Sequence, residues 1–222
     1  MVLFTDVLHN LQNSLIVCST ARKLGRIPSS EFDEEKLPNL KCFSLCCNWI
    51  VNSYDELIVP FLRRMSNLEE LDLDFLNSYE ETFIDGNSLK KITDHMAQLN
   101  KFMFNIRSVI SFDDEINLPS NEDIQYTFRD FKNNEIISCI DYFFKETKGE
   151  CLMYSNPYTL IDYNNITNNF PGGLFKNVRR ISLFDEHPFE HEFFLKIAQS
   201  FPFLNELDLK NYQQQKNKRC SK

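Results

Sequence analysis

The stretch Met65-Ser66-Asn67-Leu68-Glu69-Glu70-Leu71-Asp72-Leu73 decides how this chain is read. Its apolar residues Met65, Leu68, Leu71 and Leu73 are spaced three, three and two apart. The same spacing recurs at Leu37, Leu40, Phe43 and Leu45, and at Met96, Leu99, Phe102 and Phe104. It returns at Phe175, Val178, Ile181 and Leu183, and at Phe201, Leu204, Leu207 and Leu209. Successive copies begin 28, 31, 79 and 26 residues apart. Self-similarity at such a period marks a repeat architecture. The alternation that ends each copy suits a short strand with every second side chain turned inward.

The 79-residue gap is expected to hold a weaker copy, framed from Lys145, with Cys151 and Met153 as its last two positions. Leu8, Leu11 and Ile16 fit a degenerate first copy. Helical spacing lies between the copies. Residues 87–99 place Leu89, Ile92, Met96 and Leu99 on one face. Residues 134–147 do the same with Ile136, Ile137, Ile140, Phe143 and Phe144, and residues 189–200 with Phe193, Phe194, Ile197 and Ala198. Each fits a helix that buries one stripe. Pro188 marks the start of the last one. Pro60 either kinks segment 54–65 or opens a shorter helix there.

Strand followed by helix, repeated at this period, is the leucine-rich-repeat plan. It predicts an α/β leucine-rich-repeat solenoid of about six or seven units, with a concave parallel sheet and convex helices. One domain is expected over residues 1–210, followed by a disordered basic tail, 211–222. Segment 107–133 breaks the rhythm as an irregular insertion. It reads either as a binding loop or as an irregular unit with an edge strand at 126–131.

The run Leu40-Lys41-Cys42-Phe43-Ser44-Leu45-Cys46-Cys47-Asn48 resembles the leucine-rich-repeat consensus, asparagine included. At the other copies Leu76, Arg107, Glu186 and Tyr212 stand in the asparagine's place. The wording of residues 67–73 and 203–209 resembles the divergent repeats of F-box/leucine-rich-repeat proteins. That resemblance implies the substrate receptor of a cullin-type ubiquitin ligase. No F-box segment precedes the repeats, so the chain is expected to be the C-terminal part of a longer receptor or a truncated relative.

Charge and composition narrow the function. The chain carries 24 basic and 32 acidic residues, net −8, which opposes a general nucleic-acid binder. With 42% hydrophobic residues it can build a core. No apolar run approaches the about 18 residues a membrane span needs, and no signal peptide is visible. The seven cysteines are then expected to be reduced thiols in the cytoplasm. The five basic residues from Lys210 to Lys222 read as a nuclear-import signal in the alternative.

Few residues point to chemistry. His187 and His191 have the spacing of two metal ligands on one helix face, which would make a metal-dependent enzyme the remote alternative. His191-Glu192 lacks the second histidine of a zinc-protease motif, and Pro188 places His187 ahead of the helix. Cys42, Cys46 and Cys47 lack partners at ligand spacing. No nucleophile elbow or phosphate loop is present. No catalytic residue, metal or cofactor is therefore expected, and binding of a protein partner is. Within the repeat frame, alternation turns three columns outward on the concave face. One runs through Glu70, Lys101, Glu150, Arg180 and Glu206, with alternating charge. The next runs through Ser44, Asp72, Met103, Leu152, Ser182 and Asp208. The third runs through Cys46, Asp74, Asn105, Tyr154, Phe184 and Lys210. Met103, Leu152, Tyr154 and Phe184 are expected to form an apolar centre inside a charged rim, the composition of a binding hot spot. A stand-alone scaffold or inhibitor with the same face is the alternative to the ligase receptor.

Overall fold

The computed structural model describes residues 13–19, 37–51, 54–80, 82–113, 118–131 and 135–211. The chain divides into two compact units. One takes Met1–Ser138 with Glu150–Asn156, the other Cys139–Gly149 with Pro157–Lys222.

The first unit is built on strands β1 (Asn13–Ser19), β2 (Leu40–Val51), β3 (Glu70–Glu80) and β4 (Lys101–Ser111), which pair in parallel. A π-helical turn, Tyr54–Ile58, and helix α1, Val59–Arg63, link β2 to β3. Pro60 lies in the first turn of α1, so it opens a short helix. Helix α2, Gly86–Thr93, links β3 to β4, and α3, Asn121–Thr127, follows β4. The frame residues build the core. Met65, Leu68, Leu73, Leu89 and Ile92 are fully buried, and Leu71 is nearly so. Aromatic contacts join strands to the helical layer: Phe43 meets Phe61 at 5.6 Å, and Phe104 stacks on Phe128 at 6.2 Å. The Tyr54 hydroxyl donates to the Ser88 carbonyl at 3.0 Å, and burial raises its pKa far above the ordinary range.

Both later helices are capped locally. The Asp85 carboxylate accepts the Ser88 N–H at 2.8 Å. Ser120 and Asp123 form a reciprocal capping box. Gly86 is constrained by its neighbour: a Cβ there would lie 2.6 Å from the carbonyl carbon of Thr127. That atom is backbone and cannot rotate away. Gly86→Ala is expected to cost about 1–3 kcal/mol, as overpacking does. A urea midpoint equal to wild type would show that α2 and α3 do not approach so closely.

The leucine-rich-repeat solenoid with one concave parallel sheet is not what forms. The first sheet has six strands in the order β1-β2-β3-β4-β6-β5 and is partly antiparallel. Residues 134–147, expected as a helix, instead give β5 (Ile136–Phe143) and the turn that follows it. Its Ile136, Ile137, Ile140, Tyr142 and Phe143 are β-formers, and four turn residues return the chain directly into β6 (Lys148–Ser155). Thr147 takes the positive φ of 49° that closes this turn. The hairpin reverses the chain, so β6 meets β4 head to tail. Ser155 lies at Phe104, its hydroxyl accepting that residue's N–H at 3.0 Å, while Glu150 lies at Arg107. Segment 126–131, an edge strand in one of the two readings of the insertion, is the end of α3 and a turn.

The second unit carries a separate parallel sheet of β7 (Asp162–Ile166), β8 (Arg180–Asp185) and β9 (Glu206–Asn211). Helix α4, His191–Ser200, connects the last two. It starts three residues after Pro188, so that proline is not its first residue. Tyr163, Phe175 and Phe201 centre an aromatic core, with centroids 5.1 Å apart for the first two and 5.0 Å for the last two. Ile181 and Leu183 are buried beside them, but Leu207 and Leu209 are not, because β9 is the sheet edge. Leu207 was expected in the core and is 43% exposed.

The weak first copy is shifted by one. Ile16 pairs with Ser44, and Val17 with Leu45, so the frame falls on Leu15 and Val17. Leu8, Leu11 and the tail beyond Asn211 lie outside the described residues. Among the described residues no helix is long and apolar enough to cross a membrane.

Candidate protein-binding face

Alternation along β2, β3 and β4 sends Phe43, Leu71 and Phe102 toward the helices and their neighbours to the opposite face. The register across that opposite face is the expected one. Ser44 pairs with Asp72, and Asp72 with Met103. Cys46 pairs with Asp74, and Asp74 with Asn105. Glu70 sits beside Lys101 at 2.9 Å.

Cross-strand hydrogen bonds hold these side chains in place. The Ser44 hydroxyl donates to the Asp72 carboxylate at 3.4 Å. Asp74 accepts from the Asn105 amide at 2.8 Å and from the Cys46 thiol at 3.6 Å. Asp72 is exposed, whereas Asp74, Met103 and Asn105 are half-buried. Although the residue is exposed overall, partial withdrawal of its carboxylate from water on the sheet raises the Asp72 pKa, the Ser44 hydrogen bond opposes that rise, and the charge of Asp74 adds to it. The face thus keeps two carboxylates side by side where ionisation of one is disfavoured.

The remaining expected residues fall elsewhere. Leu152 and Tyr154 are on antiparallel β6, where Leu152 is half-buried and Tyr154 is 1% exposed. Arg180, Ser182, Phe184, Asp208 and Lys210 belong to the second sheet. There Arg180 binds Asp162 through two hydrogen bonds, at 2.5 and 2.8 Å, which lowers the Asp162 pKa. Ser182 donates to Asn164 at 3.5 Å and accepts the Asn165 N–H at 2.8 Å. Phe184 packs edge-to-face on Phe143 at 4.9 Å, with the Lys148 ammonium 6.0 Å from its ring. Lys210 lies 3.5 Å from Asp208. The three columns therefore do not continue from one sheet to the other. The four-residue apolar centre does not form as an exposed patch, because Tyr154 is buried and Phe184 is on a different sheet.

Two features escaped the sequence reading. Glu150 was expected beside Lys101, but reversal of β6 brings it to Arg107 at 3.6 Å, with side chains 8% and 14% exposed. Asp185 is buried and accepts the backbone N–H groups of Asn168 and His187, both at 2.8 Å. It organises the turn in which His187 stands exposed, with Nδ1 3.4 Å from the same carboxylate. His191 is the first residue of α4. Among the described residues, no three His, Cys, Asp or Glu side chains converge as a metal site. In comparisons with family models, with curated proteins and with solved structures, nothing matches this chain.

Proposed function

We propose that the chain is a non-catalytic binding module that takes a basic segment of a protein partner across the polar face of β2, β3 and β4. The observation that carries this reading is the pair Asp72 and Asp74 on that face, set in cross-strand hydrogen bonds beside Met103. Parallel sheets ordinarily bury both faces under apolar cover. Here one face is apolar and covered by helices, while the other carries ordered polar groups. A cation from a partner would relieve the repulsion between the two carboxylates, and Met103 would take an adjoining apolar side chain. Such a role needs no ubiquitin-ligase link, so the stand-alone scaffold is the simpler form of the proposal. The ligase-receptor form rests on the wording of residues 67–73 and 203–209. We place the module in the cytoplasm on the same footing, from its cysteine content.

A peptide array tests the reading. Peptides pairing Lys or Arg with Leu should bind wild type and weaken with added salt, while acidic peptides of the same length should not bind. The double variant Asp72→Asn/Asp74→Asn should lose most of that binding without a change in circular dichroism. Equal binding of acidic and basic peptides would overturn the proposal.

The same carboxylates make a stability prediction. Because the folded pKa of Asp72 lies above its ordinary 3.8, its ionisation destabilises the fold at every pH above that folded value. This destabilisation by Asp72 should fade as pH falls from the folded pKa toward 3.8. Asp72→Asn should melt slightly higher than wild type at pH 7, and the two should converge near pH 3. A lower melting temperature for Asp72→Asn at pH 7 would show that the Ser44 hydrogen bond outweighs the burial.

A further inference from the structure

Among the described residues, strand β9 has a neighbour on one side only, since it closes the order β7-β8-β9. Glu206 directs its N–H to the Arg179 carbonyl, on the β8 side. By alternation, the N–H and C=O groups of Leu207 and Leu209 point away from β8, toward the open edge. Their side chains share the face of Ile181 and Leu183, which are 3% and 0% exposed, yet they remain 43% and 42% exposed themselves. Among the described residues the edge thus offers both backbone groups without a strand partner and uncovered apolar surface, the two things that strand addition uses.

The five residues Glu206-Leu207-Asp208-Leu209-Lys210 are matched to their own reverse. An antiparallel pair centred on Asp208 sets Leu207 opposite Leu209 of the second strand, and Leu209 opposite Leu207. It also sets Glu206 opposite Lys210 at both ends. The residues that exchange hydrogen bonds in that register are Leu207 and Leu209, whose backbone groups face outward. Asp208 meets its own copy on the two-fold axis, with Lys210 3.5 Å away in each chain to offset the like charge. A parallel arrangement would stack Glu206 on Glu206 and Lys210 on Lys210, which is unfavourable. We infer that β9 is the interface of a two-fold dimer, its occupant being β9 of a second copy in this antiparallel register. The paired patch is the same on both subunits, as a closed two-fold contact requires.

Sedimentation velocity over a range of protein concentrations tests this. Wild type should pass from monomer to dimer as concentration rises. Lys210→Glu turns both end pairs repulsive and should weaken association by about tenfold or more. The swap Glu206→Lys/Lys210→Glu restores the complementary ends and should recover the dimer. Oxidation of Asp208→Cys should give an interchain disulfide above the wild-type background, because residues in a non-hydrogen-bonded antiparallel pair lie about 4.5 Å apart at Cα. A chain that stays monomeric at all concentrations would overturn the inference and point to cover from elsewhere in the chain. A dimer that survives Lys210→Glu unchanged would overturn it too, by placing the contact on another surface.

Discussion

Glu150→Ala is expected to lower the stability of the first unit by about 3 kcal/mol, near the low end for a broken buried ion pair. Glu150 lies 3.6 Å from the Arg107 guanidinium, and both side chains are largely withdrawn from water. Removing the carboxylate leaves the cation in place without it. Glu150→Gln keeps the volume and one acceptor, so its loss should be smaller. The double replacement Arg107→Met/Glu150→Leu removes both charges and should recover much of the loss, as apolar substitutes for buried pairs do. Urea unfolding measures all three variants. Glu150→Ala within about 0.5 kcal/mol of wild type, the range of ordinary surface changes, would show that water already screens the pair.

Arg107 and Glu150 also show where the sequence stops being legible. Each repeat copy carries a local signal, and each strand it predicts is present: Leu71, Phe102 and Ile181 are buried as the spacing requires. Register between β2, β3 and β4, and between β8 and β9, follows from the same spacing, because equal frames align equal positions. Direction is not a local property. Residues 134–147 have apolar side chains at intervals that suit either a helical stripe or a strand buried on both faces. The choice is made by the tight turn after Phe143, which lets β5 and β6 pair at once. From that reversal follow the antiparallel β6 and the move of Glu150 from Lys101 to Arg107.

The candidate site divides along the same line. Its half on β3 and β4 was readable, since Asp72, Asp74, Met103 and Asn105 lie within uninterrupted parallel register. Leu152 and Tyr154 were misplaced because their strand runs the other way. Besides the Asn105 amide, the hydrogen bonds that order the face come from Ser44 and Cys46, small polar residues that spacing marks as outward but does not mark as partners.

Leu71 and Leu207 occupy the same place in the repeat frame, and their alanine variants should behave differently. Leu71 lies between Phe43 on one side and Phe102 on the other, and is 1% exposed. Leu71→Ala should cost about 2–5 kcal/mol, because the lost transfer energy adds to that of a cavity walled by strands on both sides. Leu207 has Ile181 on one side and the open edge on the other. In dilute protein Leu207→Ala should cost roughly 1 kcal/mol, since only part of its apolar surface leaves water on folding. The difference is a property of sheet position, not of residue type or local sequence. Urea unfolding of both variants at low concentration measures it. At higher concentration the cost at Leu207 should grow, because association of β9 with a second copy buries the same side chain and adds to stability by mass action. Equal losses at the two sites in dilute solution would mean that β9 is already covered in the monomer, and the edge would no longer be open to a second chain.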